Sequence, residues 1–178
     1  MNCSKSYDTD EIGATLKAGS DRSSPSSALT KRPRTCDYTV QMLCEGLRRG
    51  DIFLDTGYQR AAVWNAVMQS RFIDSVFQDM VFAPLVFSVK VVDGRETRVC
   101  IDGKQRLIAL QLFLRGGLYY RDSEGDKVWY RSRGKKRRTV LADASRQRFL
   151  LQKISCIEYG CLSSVEERDI FLRVQAGH

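Results

Sequence analysis

Histidine is all but missing: the single one is His178, the last residue. No Ser-His-Asp or Cys-His arrangement is therefore present, which excludes nucleophilic hydrolysis of that kind. No CxxC pair occurs among the six cysteines (Cys3, Cys36, Cys44, Cys100, Cys156, Cys161), so a zinc knuckle is not expected. The cysteines are scattered, several stand in apolar runs, and no secretory signal precedes them. Reduced, mostly buried thiols of an intracellular protein, cytoplasmic or nuclear, are expected rather than a disulfide framework. Apolar runs are short as well: none approaches the roughly 18 residues of a membrane span, and no membrane partner is expected. Proline is scarce, and two of the three prolines fall in the first 35 residues.

What the chain does have is positive charge, with Lys and Arg at 29 against 21 Asp and Glu, a net charge of +8. Such a balance favours a polyanionic partner or ligand and leaves the fold undecided. A length of 178 residues suits one domain with a tail and is enough to bury a core. Residues 1–36 read as a disordered, Ser-rich, basic tail, because "GSDRSSPSSALTKRPRT" has little apolar area to bury. Lys31-Arg32-Pro33-Arg34 within it reads either as a nuclear-import patch or as a solvated linker.

Residues 37–178 read as the folded domain. Val40, Leu43, Cys44 and Leu47 follow helical spacing, with Asp37 or Thr39 as the cap and Gly50 as the stop. "DIFLDTGYQR" reads as a short strand and a turn, and Phe72, Ile73, Val76, Phe77 and Met80 mark a second helix ending before Pro84. "LVFSVKV" and "TRVCI" flank Asp93-Gly94 and predict a hairpin. A capping box of Ser163 or Ser164 with Glu166 or Glu167 opens the last helix.

The most informative stretch is "VCIDGKQRLIAL", residues 99–110, where a strand passes at once into an amphipathic helix that ends at Gly116-Gly117. Asp102 falls at the expected N-cap and Gln105 three residues on, which is close to a capping box. The same turn also aims free N–H groups and the positive end of the helix dipole at one point, with Lys104 and Arg106 beside it. That arrangement suits a phosphate, and Asp102 suits a divalent ion next to one. Both readings of the turn stand. Arg60, Arg71 and Arg106 have Asp55 and Asp74 as alternative partners to a phosphate.

Tyr58-Gln59-Arg60, Val63-Trp64, Arg71-Phe72-Ile73-Asp74-Ser75, Pro84, Asp102-Gly103-Lys104-Gln105-Arg106-Leu107 and Phe171-Leu172-Arg173-Val174-Gln175-Ala176-Gly177 follow one another in this order. The order resembles the N-terminal domain of the GmrSD-type modification-dependent restriction endonucleases, a branch of the ParB/sulfiredoxin-like fold, over about residues 38 to 177. The resemblance implies an α+β domain with a small mixed sheet and packed helices. It also implies binding, and in several members hydrolysis, of a nucleoside triphosphate with Mg²⁺, in the service of a nuclease subunit that cuts modified DNA. Asp102, Gly103, Gln105 and Arg106 match the family's D-G-Q-Q-R signature, with Asp102 and Gln105 in catalytic positions and Asp102 as the metal ligand. Tyr58, Gln59 and Arg60 match a Y-Q-R loop of the same pocket, and Arg173 and Gly177 match a closing F-x-R-x-N-x-G motif. Two positions depart from it. Lys104 replaces the first Gln of the signature and still offers a phosphate a point charge. Gln175 replaces the Asn, and its longer stem shifts the amide by a methylene; misplacement of about 1 Å costs on the order of 10²-fold in rate. Binding is therefore expected to outlast turnover. The chain is expected to stop short of the family domain's further helices. An HNH-like nuclease half, with its histidine, is not expected here. Sulfiredoxin-type chemistry needs a Cys where Asp102 and Gly103 stand, and Cys100 is expected in the core.

One motif remains outside that reading. The basic run Arg131 to Arg138, with Lys135, Lys136, Arg137 and Arg138, follows the aromatic-rich "LYYRDSEGDKVWY". It reads as a hairpin that binds DNA or RNA, with Tyr119, Tyr120, Trp129 and Tyr130 stacking on bases, or as a solvated loop whose aromatics pack inward. A non-catalytic nucleic-acid-binding module of ParB-like fold is accordingly the second expectation for function, and a truncated scaffold that contacts proteins the third.

Overall fold

The computed structural model describes residues 32–54, 57, 63–134 and 137–177. Residues 1–31, which make up most of the expected tail, lie outside the described residues, as do Tyr58, Gln59, Arg60, Asp55, Lys135, Lys136 and His178. The described chain is a mixed α+β fold, and its elements follow from local signals that can be named. Strand β1 (Arg34–Thr39) runs into helix α1 (Val40–Arg49), where Thr39 Oγ1 accepts from the Met42 N–H at 3.1 Å. Gly50, at φ 80°, stops the helix in the left-handed conformation. Of the two expected caps, Thr39 is the one used. β1 opens three residues ahead of the expected start at Asp37, because Thr35 and Cys36 already pair with Ile157 and Cys156.

Short β2 (Ile52–Phe53) precedes α2 (Ala66–Phe77), which Asn65 caps through a bond from the Met68 N–H. The helix ends earlier than the sequence pattern suggests. Asp79 adopts φ 52°, and Met80 beyond it is 54% exposed instead of on the buried face. β3 (Leu85–Val92) and β4 (Arg95–Asp102) form the expected hairpin, with Asp93 and Gly94 both at positive φ. α3 (Lys104–Leu114), the two-stranded β5 (Tyr119–Arg121) and β6 (Lys127–Trp129), α4 (Asp143–Leu151), β7 (Lys153–Gly160) and α5 (Ser164–Gln175) complete the order. Ser163 and Glu166 close a reciprocal capping box at the start of α5.

The main sheet has the order β1-β7-β3-β4-β2, with β7 parallel to β3 and β2 parallel to β4. One face packs a single core in which Leu43, Ile73, Phe87, Leu110, Phe113 and Phe149 are closed to solvent. Each such side chain contributes about 1.5–3 kcal/mol through its removal from water. Phe77 stacks between Phe149 at 4.7 Å and Tyr120 at 4.2 Å, which ties α2 to α4 and to the small sheet. The opposite face of β3 and β4 buries Val86 and Ile101, and α5 brings Ile170 and the Lys90–Glu167 ion pair to that side. Cys100 and Cys156 are buried and Cys161 is exposed, and the described cysteines are free thiols. No helix among the described residues is long and apolar enough to cross a membrane.

Candidate functional site

The turn from β4 into α3 is held open by Gly103. Its φ of 103° lies in the left-handed region, and a Cβ there would stand 2.2 Å from Leu85 Cδ2. Only glycine fits at that point, for backbone and for space. Gly103, rather than Asp102, is the residue at the N-cap, and no side chain caps the helix. The expectation that Asp102 caps α3 is corrected here, and its reason is competition between donors. Asp102 ends β4, and its Oδ2 accepts from Arg106 Nη2 at 2.7 Å, a charge-assisted bond that a neutral backbone N–H does not match.

Gln105 does not reach back to close a capping box either. Its Oε1 accepts from the Trp64 N–H at 3.2 Å, which fastens the segment leading into α2 to the first turn of α3. Arg106 is only 8% exposed. Besides Asp102, its guanidinium donates to the Ala83 carbonyl, and to the Pro84 carbonyl at 3.3 Å. It therefore clamps the entry to β3 against the turn, and Asp74 is not its partner. Asp74 instead accepts from the Arg121 N–H at 2.8 Å, and burial raises its carboxyl above the ordinary value despite that bond and the Arg121 charge.

The second arm of the site comes from the far end of the chain. Gln175, at the last position of α5, donates from Nε2 to Asp102 Oδ1 at 3.2 Å, across 73 residues. The turn and the closing motif thus share one carboxylate. Arg173 lies on the exposed side of α5, where its Nε donates to Asp169 at 2.9 Å instead of reaching Asp102. Gly177 follows the helix at φ 76° with open space around it. Lys104 occupies the first position of α3, half-buried. The structure therefore brings together Asp102, Gly103, Arg106 and Gln175, with Gln105 tied in through Trp64. Cys100, next to them on β4, is no thiolate: burial, helped by the Asp102 charge, pushes it up to about 12.

The basic run sits elsewhere. The loop joining β5 and β6 is Asp122 to Asp126, and the basic residues follow β6 outside the hairpin. Tyr120 and Tyr130 pack inward, Tyr130 edge-on to Phe113 at 5.7 Å. Tyr119 and Trp129 stay half-buried, 5.7 Å apart. Lys127 lies 4.7 Å over the Tyr119 ring, and the Arg138 guanidinium 4.9 Å over Trp129. Arg138 also donates to the Gly116 carbonyl at 3.0 Å, whereas Arg137 is exposed.

One cluster has no counterpart in the sequence reading. Glu158 on β7 is 2% exposed. Its carboxylate accepts from Tyr38 Oη at 2.7 Å, Arg98 Nε at 2.6 Å and Arg34 Nε at 2.7 Å. Burial pushes the Glu158 carboxyl up, but these donors together hold it below the ordinary value. Burial and the bond to Glu158 raise the Tyr38 phenol in turn. With its oxygens already bonded, the carboxylate serves as a cross-tie between strands. A charged residue amid the buried alternation of "KISCIEYG" is the signal that marks it in the sequence. Among the described residues no three His, Cys, Asp or Glu side chains gather as a metal site, so Asp102 stands as a lone carboxylate.

A family model described as GmrSD restriction endonuclease, N-terminal domain, matches residues 40–173. No curated protein and no solved structure matches the chain.

Proposed function

Starting from the fact that the chain belongs to the family of GmrSD restriction endonuclease N-terminal domains, and so is related to modification-dependent restriction endonucleases, we propose that it binds a nucleoside triphosphate at the β4–α3 turn. The observation that carries this reading is the bond between Gln175 and Asp102, which gathers two distant motifs at a helix start without a side-chain cap. The start of a helix, where the dipole is positive, favours an anion. Lys104 adds a cation in the same turn. Arg106 acts from behind: it is spent on Asp102 and two carbonyls, and so fixes the turn.

Mg²⁺ fits this donor set to the extent that one carboxylate is enough when phosphate oxygens and water complete the shell. Asp102 would hold it through Oδ1, the oxygen that Gln175 reaches, and the ion would supply charge neutralisation of the phosphates. The Gln175 amide competes for that oxygen. Binding is therefore favoured over hydrolysis, and the domain acts as a nucleotide-dependent regulator whose partner is a nuclease.

A melting-temperature screen with each of four nucleoside triphosphates and Mg²⁺ tests the reading. One of them should stabilise the protein, by about 2.7 kcal/mol at 100 times its dissociation constant. Asp102→Asn, compared with its own unliganded baseline, should lose the Mg²⁺ dependence. Phosphate release should be slight for the wild type and rise in Gln175→Asn. No stabilisation by any of the four nucleotides would falsify the proposal.

A second reading has one observation in its favour. Tyr119 and Trp129 form a half-exposed aromatic pair faced by Lys127, Arg121 and Arg138, the chemistry of a nucleic-acid contact.

A further inference from the structure

At the other end of α3 lies a cleft of about 300 Å³ that the reading above does not use. The two ends of α3 are separated by about 15 Å at 1.5 Å per residue, so the cleft is distinct from the Asp102 turn. Its floor is apolar, built from Leu114 of α3, Leu150 of α4 and the ring of Tyr130. Arg48, Arg115 and Arg131 line the same space. Gly116, at φ 73°, lets the neighbouring strand exit come close: a Cβ there would stand 2.5 Å from the Arg131 carbonyl.

The charge of this cleft is unbalanced. Arg34, Arg98 and Arg106 each reach a carboxylate. Among the described residues Arg48, Arg115 and Arg131 form no ion pair and donate no side-chain hydrogen bond; Arg131 lies 5.8 Å from the centre of the Tyr130 ring. Among the described residues the one carboxylate in the lining is Glu45, which accepts from Gln41 Nε2 at 2.8 Å. It offsets one of the three positive charges and leaves two.

We infer that this cleft is a binding site for a compact organic dianion, a molecule with a flat or apolar body that bears a phosphate or paired carboxylates. The body would lie on Leu114, Leu150 and Tyr130, and the anionic end would meet guanidinium groups, which suit phosphate and carboxylate geometry through paired N–H donors. A plain competing account exists. Arg48 stands in the last turn of α1 and Arg115 at the C-cap of α3, where a cation also balances the helix dipole.

Calorimetric titration of the full chain with phenyl phosphate, at constant ionic strength, separates the two accounts. Inorganic phosphate and phenol serve as half-ligands in parallel titrations. Phenyl phosphate should bind saturably and at least tenfold more tightly than either half. Arg115→Gln and Arg48→Gln should each weaken it by at least fivefold, while the stabilisation of both variants by nucleoside triphosphate with Mg²⁺ should stay as in the wild type, which keeps this result separate from the nucleotide reading. Arg48 and Arg115 are both exposed, so neither change removes a buried group, and the Arg48 variant carries the test even where Arg115→Gln fails to fold. No saturable binding, equal affinity for inorganic phosphate alone, or wild-type affinity in Arg48→Gln would each overturn the inference and leave the arginines as helix-end charges.

Discussion

Gly103 concentrates at one position what the β4–α3 turn demands of the backbone. Its positive φ and the 2.2 Å approach of Leu85 Cδ2 to a built Cβ act together. Gly103→Ala therefore adds backbone strain and also pushes Leu85, a fully buried side chain, out of its place. A loss of at least about 2 kcal/mol in urea unfolding is expected. Gly94, at φ 75° with nothing within 4 Å, supplies the comparison: Gly94→Ala carries the strain alone and should cost about 1 kcal/mol. Equal losses in the two variants would show that the Leu85 contact contributes nothing. At this scale the Asp-Gly step was legible as a turn opening a helix. The task of Asp102 was not legible, because Arg106 Nη2 from the next turn and Gln175 Nε2 from the far end of the chain together take the carboxylate that a capping geometry would have given to a backbone N–H.

Strands of the main sheet are cross-tied through Glu158, whose carboxylate links β7 to Tyr38 on β1 and Arg98 on β4. Glu158→Gln removes the charge those donors are arranged around and leaves Arg98, 15% exposed at its side chain, without its buried partner. Breaking such a pair costs about 3 kcal/mol. The pH dependence follows from the lowered carboxyl. The unfolded chain takes up this proton first as pH falls, so the stabilisation is complete above the ordinary value of 4.5 and fades as pH drops towards the lower folded value. Unfolding curves recorded from neutral pH down through that range should show a shallower acid decline for Glu158→Gln than for the wild type. Parallel declines would mean that Glu158 is not the group responsible. Helices α1 and α5 were readable from their caps and stops, and the β3–β4 hairpin from Asp93-Gly94. β7 and α4 were not, although β7 is an interior strand of the sheet: its parallel partner β3 and antiparallel partner β1 are far away in sequence.

For the whole molecule the net charge of +8 is a statement about partners, and its placement decides which ones. Part of it lies by Tyr119 and Trp129. Neutralising Arg121, Lys127 and Arg137 should weaken binding to nucleic acid and lower the slope of log affinity against log salt, by about 0.9 for each lost contact on duplex DNA. Arg138 is left in place, because its bond to the Gly116 carbonyl ties segments 22 residues apart, whereas the bond from Arg121 to the Gly125 carbonyl stays within the β5–β6 hairpin. A salt slope unaltered by the triple change would remove the nucleic-acid reading of this surface.

The sequence by itself determined the class of fold, the hairpin, the helix punctuation and the family order of motifs. Each of these rests on interactions within about four residues or on patterns of apolar spacing that the chain carries wherever it goes. Tertiary structure alone decided who partners whom at long range: Asp102 with Gln175, Gln105 with Trp64, Glu158 with Tyr38 and Arg98, and three arginines around a cleft in which, among the described residues, Glu45 alone faces them. A buried polar group takes the strongest donor that packing brings within reach. Which donors come within reach depends on strand order and helix packing rather than on spacing along the chain.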